Sequence, residues 1–147
     1  MDQVTLENET SKAKDTVAIG AAAEYYVMCQ LLRRNFIAAL APKGVPEIDI
    51  LVTDRGGNSL AEVQVKGRQY SRDRGWMMGE KHEKLIRPRL FYCMVDFGEG
   101  LADIPKCWIL PSAMMADVLA KSHRAWLDSP GKGGRAHQES KMRRLTH

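Results

Sequence analysis

Between residues 48 and 66 the chain passes from an apolar run broken once, Ile48-Asp49-Ile50-Leu51-Val52, to a strict alternation, Ala61-Glu62-Val63-Gln64-Val65-Lys66. These patterns predict two short strands, Ile48 to Thr53 and Leu60 to Lys66, joined by the turn residues Asp54-Arg55-Gly56-Gly57-Asn58. Upstream, apolar residues recur at helical spacing from Lys12 to Asn35. Ala18, Ala21, Ala22, Tyr25, Met28, Cys29 and Leu32 make one apolar face, and Ile19, Ala23, Tyr26 and Val27 widen it. Arg33 and Arg34 suit the negative end of the helix dipole, and Asn35 is the expected stop. Phe36 to Ala41 reads as a strand closed by Pro42-Lys43-Gly44. Gly67 to Gly79 reads as a loop. Glu80 to Ile86 reads as a short charged helix that ends before Arg87, the residue preceding a proline. Leu90 to Val95 and Lys106 to Leu110 read as strands, and a helix opens at Pro111 or Ser112 and runs to about Trp126.

The expected order is helix, three strands, helix, strand, then an added strand and helix. This is an α/β fold, expected as a single domain over residues 12 to 128. Residues 1 to 11 are polar and acidic, lack the apolar core of a secretory signal, and are expected to be flexible. Residues 129 to 147 are expected to form a basic C-terminal tail.

Strand geometry then points to chemistry. Successive side chains face opposite sides of a sheet, so Glu62, Gln64 and Lys66 share one face. A hairpin brings Asp49 to the same end as Gln64 and Lys66. Carboxylate and amide oxygens beside an ammonium suit a hard divalent cation and phosphate chemistry. Asp49 interrupts an apolar run, where an ionised acid is costly to bury without a partner. Glu24 raises the same question on the first helix, since its neighbours three and four positions away are Gly20, Ala21, Val27 and Met28. Glu62 is either a contributor to a second ion or an ordinary exposed acid.

This arrangement resembles the PD-(D/E)XK nuclease superfamily. Its sites place an acid on one strand, then an acid or Gln, any residue, and Lys on the next. Asp49 matches the first acid and Gln64-Val65-Lys66 the second half. Val63-Gln64-Val65-Lys66 is most similar to the Gln-bearing branch that includes intron homing endonucleases. The likeness runs from about Val17 to Phe97, and the element order agrees with the superfamily's αβββαβ core. The resemblance implies a restriction-endonuclease-like fold with a mixed central sheet. It also implies Mg²⁺ or Mn²⁺ held by Glu24, Asp49 and Gln64, with Lys66 completing a catalytic set that hydrolyses phosphodiester bonds in DNA. Gln64 stands where an acid is usual, so the site carries about −1 rather than about −2 and holds a cation more weakly.

Charge refines the picture. The chain's net charge is +4. Residues 130 to 147 carry Lys132, Arg135, Lys141, Arg143 and Arg144 against Glu139 alone, which leaves the rest of the chain balanced. That segment either contacts phosphates or an acidic partner, or is simply solvated. DNA contact is expected chiefly after Lys66, where Arg68, Arg72 and Arg74 can pair with phosphate and Tyr70 and Trp76 can stack on bases. Lys81, His82 and Lys84 extend that positive face onto the short helix; His82 alone is too ambiguous to be read as a catalytic base. A chain of 147 residues leaves little room for both halves of a duplex site, so a homodimer is expected. No apolar run reaches membrane-spanning length. Cys29, Cys93 and Cys107 lack zinc-ligand spacing and read as reduced core residues of a cytoplasmic protein. Two other readings stand beside the nuclease. One is a catalytically weak or inactive nuclease-fold module that binds nucleic acid or serves a larger complex, and the other is a structural oligomerising domain.

Overall fold

The computed structural model describes residues 16–69 and 75–146. Helix α1 (Thr16–Arg33) ends as its sequence demands. Asn35 takes a left-handed φ of 72° and the Phe36 N–H reaches back to the Leu31 carbonyl at 3.2 Å. This closure satisfies carbonyls that the helix leaves without partners. Strands β1 (Ile37–Leu40), β2 (Ile50–Thr53) and β3 (Ser59–Arg68) follow as an antiparallel meander. Asp54 shapes the β2–β3 turn by accepting from the Asn58 backbone N–H at 2.9 Å and its side-chain amide at 2.7 Å.

Strand β4 (Trp76–Gly79) leaves the sheet, and a single 3₁₀ turn (Glu80–Glu83) leads toward β5 (Leu90–Asp96). β5 pairs parallel to β3, and β6 (Lys106–Pro111) pairs antiparallel to β5. The result is a mixed five-stranded sheet in the order β1-β2-β3-β5-β6. Helix α2 (Ser112–Asp128) and strand β7 (Met142–Leu145) complete the chain, and β7 pairs with β4 as a separate ribbon.

Each face of the sheet has its own core. On one, α1 presents Ala23 and Val27 to Ile50, Val52, Val63, Val65, Cys93 and Val95. On the other, Leu90, Tyr92 and Met94 meet Met115 and Leu119 of α2 and Trp76, Met78 and Leu145 of the ribbon. Among the described residues, no helix is long and apolar enough to cross a membrane.

Several expectations are corrected. The middle element of the αβββαβ order is not an α-helix but one 3₁₀ turn. Four residues followed closely by Pro88 leave no length for an amphipathic helix, and α2 covers that face instead. Gly67 to Gly79 is not a continuous loop: β3 runs on to Arg68, and Trp76–Gly79 is a strand. Residues 129 to 147 are not a plain tail, because Met142–Leu145 supplies the partner that makes β4 a strand. The broad apolar face expected of α1 is largely exposed, with Tyr25 and Leu32 outward, while Ala23 and Val27 are buried. Of the cysteines, Cys93 is core, but Cys29 and Cys107 are exposed.

Candidate functional site

Asp49 is fixed through its backbone on two sides. Its N–H donates to the Val63 carbonyl and its own carbonyl accepts from the Ala41 N–H, both at 2.8 Å. Asp49 thus lies beside Val63, next to the Ile50–Val63 pair that opens the β2–β3 ladder. Asp49 Oδ2 then accepts the Val65 N–H at 2.7 Å, so a carboxylate takes the place of a strand carbonyl just before β2 begins. Charge-assisted bonds of this kind are about twice as strong as neutral ones.

Gln64 is buried at 9% exposure, and its Oε1 has no hydrogen-bond partner among the described residues. An orphaned buried acceptor costs about 1–3 kcal/mol, so a protein rarely keeps one without use. Lys66 is half-buried two positions on. Burial pushes its pKa down, the Asp49 charge pulls it back, and Lys81 adds to the lowering.

Glu24 reaches the same neighbourhood from α1. The helix is drawn onto the sheet beside Lys66, where Gly67 has no side chain: a Cβ there would lie 2.5 Å from the Ala23 Cβ. Burial pushes the Glu24 carboxyl upward, the Asp49 charge pushes it further, and Lys43 opposes both. Asp49 is therefore the common electrostatic neighbour of Glu24 and Lys66.

The donor set is two acids and an amide oxygen, all hard ligands suited to Mg²⁺ or Mn²⁺. Among the described residues no three His, Cys, Asp or Glu side chains gather as a metal site. The unpartnered Gln64 oxygen is a hard donor of the same class as the two carboxylates. Glu62 is not such a ligand, since it pairs with Arg87 at 3.2 Å.

His82, expected on the positive face of the short helix, is instead buried, and its pairing with Tyr92 has no counterpart in the sequence reading. Tyr92 lies beside Gln64 in the β3–β5 register. The Tyr92 hydroxyl lies 2.7 Å from His82 Nδ1. Burial, and then the charges of Lys66 and Lys81, push His82 down to about 4, so its ring is neutral near pH 7. Burial and Glu47 push Tyr92 up to about 12. Glu47 also approaches Lys81 at 3.9 Å. The available signals were slight: one tyrosine inside the apolar run 90 to 95, and an acid two positions before Asp49.

The expected nucleic-acid residues separate. Tyr70, Arg72 and Arg74 lie outside the described residues. Trp76 is core rather than a stacking platform, 5% exposed and edge-on to Trp108 at 5.7 Å. Its apolar bulk is worth more in the core between β5 and α2 than in water. Arg68 pairs with Asp96 at 2.7 Å and lies over the Trp76 ring at 3.9 Å, so its charge is matched within the fold. Lys81 is exposed, at the margin of the site. No protein-family model, curated protein or solved structure matches the chain.

Proposed function

We propose that this protein is a metal-dependent deoxyribonuclease of the PD-(D/E)XK type, built on a restriction-endonuclease-like core. The observation that carries this reading is the buried, unpartnered Gln64 oxygen on the β3 face that also carries Lys66, with the Asp49 carboxylate on the Val65 N–H beside it. The mixed sheet, a meander followed by a parallel strand beside β3, supports it.

In this reading Glu24, Asp49 and Gln64 hold Mg²⁺ or Mn²⁺, which supplies positive charge to the scissile phosphate. Asp49 keeps one oxygen on the Val65 N–H, which fixes the direction of the other. Lys66 orients the attacking water and steadies charge building on the phosphate. The water oxygen bonds to phosphorus and gives up a proton to solvent, the ester P–O bond breaks, and the departing oxygen takes a proton from solvent. A homodimer would set one such site against each strand of a duplex, and the exposed apolar residues of α1 and β1 offer a surface for it. Sedimentation as a monomer both with and without DNA would remove that part.

The test is cleavage of linear, nicked, branched and single-stranded DNA with Mg²⁺ or Mn²⁺, with Lys66→Ala alongside. The wild type should cut and the variant should be slower by about 10²–10³-fold. Equal rates from both proteins would sink the assignment.

One observation favours a second reading, a binding module with little catalysis. The site has an amide where an acid is usual. Gln64→Glu separates the two readings. Tighter Mg²⁺ binding with new cleavage in the variant would mark the native site as weakened, and cleavage by the wild type would exclude that.

A further inference from the structure

Among the described residues other than glycine, only Asn35 and Glu47 take a positive φ. Asn35 ends α1, and asparagine is suited to that conformation. Glu47, at 68°, is not. The left-handed region crowds its Cβ against the backbone, and glycine would hold the same turn at less cost. In this position Glu47 meets Lys81 at 3.9 Å, with the ammonium largely in solvent. A pair this long with one partner in water stabilises little, less than a left-handed side chain costs. Stability does not account for a glutamate here.

Both partners are placed against the Asp49–Lys66 site. Glu47 lies two positions before Asp49, in the loop between β1 and β2 that the bond from the Ala41 N–H to the Asp49 carbonyl closes. Lys81 stands on the 3₁₀ turn, which is fixed at both ends. The Glu80 N–H donates to the Lys141 carbonyl at 2.9 Å, and Glu83 bonds Arg143. The next residue, His82, reaches Tyr92, the β5 neighbour of Gln64. The Lys81 backbone is thus tied to the face that carries the orphaned Gln64 oxygen and Lys66, while its side chain stays 64% exposed. The Lys81 charge also disfavours that of Lys66. Two ammoniums that repel each other beside an open site suit an anion.

We propose that Lys81 takes the DNA phosphate next to the scissile one, and that Glu47 is a positioning residue that holds the ammonium at the site until the strand displaces it. The proposal rests on the nuclease reading above and adds how the substrate is held. A weak pair suits this task, because a strong one would compete with the phosphate. Phosphate contacts carry no base information, so this hold is independent of sequence. It also lies where the expected DNA face does not, since Arg68 is matched by Asp96 and Trp76 is buried.

The test uses the full chain and a short labelled DNA duplex, with binding measured in EDTA so that cleavage plays no part. Affinity of the wild type should fall as salt rises, and Lys81→Ala should make the log–log slope shallower by about 1. Lys81→Arg should restore the slope, and all variants should keep the wild-type circular dichroism. Glu47→Gln should tighten binding by up to about 5-fold, the release of one exposed pair. That gain should vanish when Lys81→Ala is also present. An equal gain in both backgrounds would mean that Glu47 acts only through its own charge. That result, an unchanged slope in Lys81→Ala, or no binding by the wild type at low salt would overturn the proposal. In Mg²⁺, Lys81→Ala should raise KM and leave kcat near the wild-type value, as loss of a contact made equally before and during reaction does. A failed nuclease assignment looks different: no cleavage in Mg²⁺, with the Lys81-dependent slope and the Glu47–Lys81 coupling retained.

Discussion

On its α1 side, the strand β3 gives Val63 and Val65 to a core made of Ala23, Val27, Ile50 and Val95, with no charged group in it. On its other side the same strand gives Glu62, Gln64, Lys66 and Arg68, and these run from the Arg87 ion pair, past an orphaned amide, to the Asp96 ion pair. Glu62, Lys66 and Arg68 each have an opposite charge as partner or neighbour, whereas the Gln64 oxygen has no hydrogen-bond partner among the described residues. The dry face is what a sheet does for stability, and the wet face shows where stability was given up. Alternation lets one strand do both, because each residue belongs to only one face.

The comparison can be broken first on the dry face. Ile50→Ala, at a fully buried position, should cost about 2–5 kcal/mol, read as a lower urea midpoint with unchanged slope. A loss below 1 kcal/mol would mean that this face is not the main core.

Acid should act through the wet face. His82 has a folded pKa of about 4 against 6.5 when unfolded. Between those values the unfolded chain binds a proton that the folded chain refuses, so stability rises with pH through the window. The contribution is fully present above pH 6.5 and lost as pH falls to 4. At 1.36 kcal/mol per unit it amounts to about 3 kcal/mol. His82→Gln should flatten this part of the urea-midpoint profile, and a profile parallel to the wild type would show that His82 is solvated.

The contact between the faces' two layers is tested at Gly67. Gly67→Ala places a methyl against the Ala23 Cβ and should cost about 1–3 kcal/mol. It should also slow cleavage by moving Glu24. The double variant Gly67→Ala, Ala23→Gly makes the space again and should recover activity faster than stability, since glycine weakens a helix by about 1 kcal/mol.

The smallest effect in stability is the sharpest test of the comparison. Gln64→Leu removes the orphaned acceptor and should leave stability unchanged or raise it by about 1 kcal/mol. It should abolish cleavage. A clear loss of stability would mean that the Gln64 oxygen serves the fold rather than a ligand.

Much of this was legible in local sequence. The hairpin followed from a broken apolar run, an alternating run and an Asp-to-Asn turn, the helix stop from Asn35, and the shared face of Gln64 and Lys66 from period two alone. These depend on neighbours within a few residues, where backbone sterics and side-chain direction suffice. What the tertiary structure decided involves partners far apart in the chain. α1 is apolar on most sides, so periodicity could not choose its buried stripe; the missing side chain at Gly67 chose Ala23. Met142–Leu145, with two arginines in four residues, reads as solvated until β4 offers it a ladder and Glu83 takes up Arg143. Trp76 reads as a ligand-facing aromatic until that same ribbon folds it against Trp108. His82 and Tyr92 acquire meaning only when a 3₁₀ turn lowers one onto the other beneath Gln64. Local pattern sets which side chains share a face, but pairing and burial between distant segments are joint properties of both, and neither segment carries them alone.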